Sequence, residues 1–154
     1  MNKDIPPITD YSQAKQYLFY LLSRREYSQH ELQNKLDNRL CPAQISQSLL
    51  AEFADNNWQS DHRFALSLLK AKAGSGYGPK VIQQLFYQHK IKADLNSLTE
   101  EAEIDWQQVV NDCYERKFRQ KPIKDFKDKQ KRYRFLYSRG FDSDFIQQVF
   151  SSFS

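Results

Sequence analysis

The sequence predicts an all-α protein: three tandem three-helix bundles of about 50 residues each, strung into an elongated array. Three observations point there. First, apolar residues return at a step of 50: Leu18, Leu68 and Phe118; Ala14, Phe64 and Tyr114; Leu36, Phe86 and Leu136; Ile45, Leu95 and Phe145. Shorter sets keep the same step, Tyr27 with Tyr77, Leu32 with Ile82, and Phe53 with Phe153. Second, no segment alternates apolar and polar residues as a half-buried strand would, whereas helical spacings recur throughout. Third, a chain that is 40% hydrophobic and 27% charged, with a mean hydropathy of −0.80, suits small cores under much solvated surface rather than one thick core. The repeats are placed at residues 10–57, 58–107 and 108–154. Arrays of this kind work through a long surface, which shifts the expected function from catalysis toward binding.

In the first repeat, Ala14, Leu18, Leu21 and Leu22 form the apolar stripe of a helix ending near Arg25. Ser28-Gln-His-Glu31 is a capping box opening the second helix, with Tyr27 and Leu32 as the hydrophobic staple across its start. The third helix runs from about Pro42 to Asn56 and buries Ile45, Leu49, Leu50 and Phe53. Asp61 reads as the N-cap that opens the second repeat. There the staple returns as Tyr77 and Ile82, with Gly78 at the cap and Pro79 at the first helical position, where its missing N–H costs nothing. Leu95 and Leu98 anchor a short helix before the acidic stretch Glu100, Glu101, Glu103, Asp105. In the third repeat, Val109, Val110, Tyr114 and Phe118 supply the first stripe and Pro122 interrupts it. The second helix lies within residues 123–139 and closes at Gly140, which accepts a left-handed backbone. Asp142 caps a last helix carrying Phe145, Ile146, Val149 and Phe150.

Several functional classes find no support. No apolar run reaches the ~20 residues of a membrane-spanning helix, and the opening residues lack the apolar core of a secretory signal, so the expectation is a cytoplasmic protein with no membrane partner. Cys41 and Cys113 lie outside any C-x-x-C motif, and Cys41 shares its repeat position with Ile91 and Phe141, so both are expected as small buried residues. His30, His62 and His89 are isolated, and no metal or cofactor is expected. The glycines of Gly74-Ser-Gly-Tyr-Gly78 lack the G-K-[ST] ending of a phosphate loop and serve a turn and a cap. The acidic stretch reads as a solvated helix end; a carboxylate-dependent nuclease built on Glu101 and Glu103 would require divalent metal.

Charge is uneven. Residues 1–113 hold 12 Lys and Arg against 14 Asp and Glu, whereas residues 114–154 hold 11 against 5. Residues 114–154 therefore carry a net +6, which puts the basic charge in the last repeat and fits a polyanion or an acidic protein surface, with salt-dependent affinity if phosphates are bound. Its cations are interleaved with Phe126, Tyr133, Phe135 and Tyr137. Exposed rings would stack on single-stranded bases, but the helical spacing of Phe126, Tyr133, Leu136 and Tyr137 assigns them to the core of the repeat.

The motif Arg24-x-x-Tyr27-Ser28-x-x-Glu31-Leu32 resembles the first unit of the bacterial RecX family. Asp61-x-x-Phe64-Ala65 and Gly76-x-Gly78-Pro79-x-x-Ile82 resemble its second unit, and Arg134-x-Leu136-x-x-Arg139-Gly140-Phe141, with Ile146, its third. The departures are Lys90, where the family often has glycine, and Trp58. The resemblance implies a negative regulator of the RecA recombinase, curved and elongated, which lies in the groove of the RecA filament on DNA, limits its growth and suppresses ATP hydrolysis, strand exchange and cleavage of the LexA repressor. The expected partners are the RecA filament and single-stranded DNA within it, bound by a monomer without catalysis. The candidate contact residues are Lys124, Lys127, Lys131, Arg132, Arg134 and Arg139, with Arg24 and Arg25 in the first repeat. The alternative is a tandem-helical DNA-binding protein that acts without RecA.

Overall fold

The computed structural model describes residues 5–153, and among them there are nine helices and no strand. The all-α fold class is therefore as expected. In chain order the helices are α1 (Tyr11–Leu22), α2 (Gln29–Asn38), α3 (Ala43–Asp55), α4 (Asp61–Gly74), α5 (Pro79–Gln88), α6 (Leu95–Glu101), α7 (Trp106–Phe118), α8 (Phe126–Ser138) and α9 (Ser143–Phe153). The chain divides into two compact units, one reaching to Ala65 and including His89–Ile91, the other comprising Leu66–Gln88 and the chain from Lys92 onward.

The first unit is built on α1, α2 and α3, whose facing stripes bury Ala14, Leu18, Leu32, Leu36, Leu49 and Phe53. The capping box forms as predicted. Ser28 Oγ accepts from the Glu31 amide at 3.0 Å, and Glu31 Oε1 accepts from the Ser28 amide at 3.0 Å. Asp61 does something different from its expected role. The Ser60 hydroxyl accepts from the Arg63 amide at the start of α4, while the Asp61 carboxylate accepts from the Gln29 amide at 2.8 Å. Asp61 thus satisfies one of the free N–H groups that begin α2, a cap supplied across 32 residues of chain rather than locally. Ile8 is also part of this core, held by its amide donating to Arg39 O at 2.8 Å. Nothing in the repeat pattern marks Ile8, because it precedes the first helix.

In the second unit, α7, α8 and α9 enclose Val110, Tyr114, Leu136, Phe141, Ile146 and Val149. The turn between α4 and α5 uses its glycines as expected. Gly76 has φ +89°, and Gly78 precedes Pro79 at the start of α5. Gly78 also lies against Gly140: its amide donates to Arg139 O at 2.7 Å, and a Cβ on it would meet Gly140 O at 2.6 Å. Both cysteines are buried. The aromatic residues of α8 depart from expectation. Phe126 and Tyr137 are 73% and 54% exposed, because the buried face of α8 runs through positions 132 and 136.

Candidate polyanion-binding surface

Six of the basic residues of the last 41 positions, Lys121, Lys124, Lys127, Lys131, Arg132 and Arg134, are brought together by the start of α8 and the loop before it. Helix α7 closes at Arg119, whose φ is +55° and whose amide donates to Glu115 O at 2.7 Å. Pro122 keeps the loop from continuing the helix. Asp125 then caps α8, accepting from the Asp128 amide at 2.8 Å, and Asp128 accepts from the Lys124 amide at 3.1 Å. That backbone donor, reinforced by the Arg132 guanidinium, holds the Asp128 carboxyl below its ordinary pKa.

Arg132 organises this region from beneath. It is 4% exposed and donates to Tyr114 OH at 2.7 Å, Lys121 O at 2.9 Å, Pro122 O at 3.3 Å and the Asp128 carboxylate at 3.1 Å. Its guanidinium also sits 4.8 Å from the Phe118 ring centroid. Burial disfavours its charge, but the bonds to Tyr114 and Asp128 outweigh that and hold its pKa above the ordinary value. Arg132 therefore departs from its expected place on the contact surface: its donors are used inside the unit, bracing the loop that carries the neighbouring lysines.

Above it, Lys121, Lys124, Lys127, Lys131 and Arg134 are exposed and border an open depression of about 430 Å³. The carboxylates in its lining are Asp125 and Asp128, both engaged in starting α8. Five free cationic groups around one depression suit a run of phosphates or a carboxylate-rich protein face. Lys121 was not singled out in the sequence; it joins the cluster because Arg132 draws its carbonyl inward.

The other candidates lie elsewhere. Arg139, at the C-terminal end of α8, stacks 4.7 Å from the Tyr77 centroid and 5.0 Å from that of Phe135, and borders a separate depression with Arg116 and Lys117. In the first unit Arg24 is exposed and donates to Tyr20 OH at 3.0 Å. Arg25 is paired bidentately with Glu31, at 3.3 and 2.7 Å, and lies 3.6 Å from the Tyr27 ring centroid. Within the acidic stretch, one carboxylate is used in local structure. Asp105 caps α7 by accepting from the Gln107 and Gln108 amides, and Glu103, at φ +55°, follows the end of α6. Among the described residues no group of three or more His, Cys, Asp or Glu side chains is placed to hold a metal, and no helix is long and apolar enough to cross a membrane.

Comparison with known proteins gives a consistent result. Residues 103–150 match the model of the third three-helix domain of RecX. The chain is 37% identical over 143 residues to the regulatory protein RecX of Actinobacillus pleuropneumoniae serotype 5b, covering 92% of this chain and 93% of that one. It is 36% identical over 140 residues to that of Haemophilus influenzae strain PittEE, covering 86% and 90%. Two solved structures share the fold. A crystal structure of regulatory protein RecX superposes with a TM-score of 0.74 at 19% identity, covering 92% of this chain and 71% of that chain. RecX from Lactobacillus salivarius gives 0.71 at 16% identity, covering 93% and 96%. Near full-length identity above a third, on a shared helical fold, establishes that this chain belongs to the RecX family of regulatory proteins.

Proposed function

We propose that this protein is a negative regulator of the RecA recombinase that binds in the groove of the RecA–DNA filament and limits its growth. Inhibition of ATP hydrolysis, strand exchange and LexA cleavage follows from a shortened or distorted filament, with roles in recombination, repair and the SOS response. The observation that carries this reading is membership in the RecX family over nearly the whole chain. The mechanism needs no catalysis. Three repeats, at 10–57, 58–107 and 108–154, spread modest contacts across neighbouring RecA protomers. Because assembled filament presents those contacts together and free RecA does not, differential affinity biases assembly. Lys121, Lys124, Lys127, Lys131 and Arg134 supply attraction to acidic RecA surface or filament DNA.

The test is ATP hydrolysis by RecA on single-stranded DNA, titrated with this protein. Inhibition well below one copy per RecA is expected; no effect of folded protein at equimolar concentration rejects the reading. The same cationic depression favours a second reading, a protein that binds nucleic acid alone. That reading requires tight binding to single-stranded DNA at physiological salt with RecA absent.

A further inference from the structure

The depression beside Arg139 is a different kind of site from the lysine-rich one. It measures about 240 Å³ and is lined by Ser75, Cys113, Arg116, Lys117, Phe135 and Arg139, with no carboxylate among them. Three cations thus share a small space. Lys117 Nζ and the Arg139 guanidinium lie 5.4 and 5.0 Å from the same Phe135 centroid, and Tyr77 holds Arg139 from another side at 4.7 Å. No ion pair within 4.0 Å is formed by any of the three among the described residues. Arg116 is steadied by Asp112 O at 3.4 Å and Gly74 O at 3.5 Å, contacts to carbonyl oxygens rather than to a carboxylate. Its Nη2 and Cys113 Sγ both lie 3.2 Å from where a Cβ on Gly76 would stand, so the glycine turn is what admits them. Asp112 and Glu115 face the neighbouring depression, which Arg116 also borders.

Like charges held together at a surface by aromatic stacking and backbone contacts are prearranged for an anion, because ligand binding then has to order nothing and relieves their repulsion. A phosphate monoester neutralises at least half of that charge. It carries −1.5 to −2 near neutral pH and three acceptor oxygens for guanidinium and ammonium donors. A phosphodiester carries a single charge and leaves the cluster under-neutralised. From this we infer that Arg116, Lys117 and Arg139, with the Ser75 hydroxyl at the rim, form a binding site for one phosphate monoester group, either free phosphate or the phosphate of a nucleotide. The burial that raises the Cys113 thiol pKa is partly offset by Arg139 and Arg116, in keeping with a positive potential at the floor of the site. This site is separate from the surface assigned to filament binding and stands or falls without it.

The test is an amide ¹H–¹⁵N titration of the full chain at constant ionic strength with inorganic phosphate, 5′-AMP and, as diester control, dimethyl phosphate. Saturable shifts are expected at Ser75, Gly76, Lys117 and Arg139 with phosphate or 5′-AMP, with about tenfold or weaker affinity for the diester, since each lost charge-assisted bond removes about that factor. Comparable affinities for phosphate and 5′-AMP support a free-phosphate site, and tighter 5′-AMP binding supports a nucleotide site. The doubly substituted R116Q/K117Q chain, altered at two exposed positions, should keep its amide spectrum elsewhere and bind about tenfold or more weakly. Shifts that rise without saturating, equal affinity for dimethyl phosphate, saturation confined to residues 121–131, or undiminished binding by the variant would overturn the assignment.

Discussion

Arg132 occupies the repeat position held by Leu32 and Ile82, both fully buried. An arginine there is tolerable because every side of the guanidinium finds a partner: Tyr114 OH, two loop carbonyls, Asp128 and the Phe118 ring. Replacing it by methionine keeps the apolar stem but leaves Tyr114 OH without its donor partner and the loop unbraced. R132M should destabilise by about 2–3 kcal/mol in urea unfolding, and R132K should recover only part of that, because one ammonium does not span the fork. The backbone at Leu40, Lys90 and Gly140, again 50 residues apart, has φ of +56°, +56° and +102°. Two of these are L-residues in a region that costs them about 1 kcal/mol or more. K90G should therefore raise stability by about 1 kcal/mol despite the added freedom of the unfolded chain, read as a higher urea midpoint at unchanged slope.

At the scale of elements, helix ends decide more than helix interiors. The start of α2 is satisfied by Ser28, Glu31 and, across the chain, Asp61. S28A should cost about 1 kcal/mol. Burial pushes the Glu31 pKa up, but Arg25 and the Ser28 amide outweigh it, so the native value is lowered. The stabilisation from Glu31 is then complete above the ordinary carboxylate range and disappears as pH falls through the lower native value. E31Q should flatten that part of the stability–pH curve, while the unsubstituted protein loses stability on acidification. The junction between α5 and α8 depends on bare backbone. A Cβ on Gly140 would stand 2.7 Å from Val81 N, in a conformation L-residues rarely adopt. G140A should cost about 2 kcal/mol or more, measured by thermal unfolding, and G78A should behave similarly because its Cβ would meet backbone as well.

For the whole molecule, the asymmetry of charge is the property that function would use. Of the cations of residues 114–154, Lys121, Lys124, Lys127, Lys131 and Arg134 cluster at the start of α8 without an ion pair among the described residues, whereas Arg25, Arg63 and Lys80 are committed to ion pairs. The K124Q/K127Q/K131Q chain should lose affinity for RecA–DNA filaments and show a shallower dependence on salt, with unchanged far-ultraviolet circular dichroism because all three residues are exposed. Inhibition of RecA ATP hydrolysis that persists undiminished at every salt concentration would remove these residues from the interface. R132M is the informative companion. By releasing the loop at Lys121 and Pro122 it should weaken binding without removing any exposed charge.

Helix content, the buried stripes, the Ser28 capping box, the Gly78-Pro79 start and the burial of both cysteines were all legible in the chain itself, because each follows from spacing or from neighbours within about four residues. So was the concentration of positive charge in the last repeat. What separated Arg132 from Lys124, Lys127, Lys131 and Arg134 was tertiary. Arginine reads as a surface residue until Tyr114 and the 121–122 carbonyls are brought around it. The division of Arg139 from that group, the reach of Asp61 to α2, the inclusion of Ile8 in a core and the exposure of Phe126 and Tyr137 have the same origin. Local sequence determines which residues can face inward on a helix; only the packed neighbours decide which polar groups are satisfied there and which charges remain for a partner.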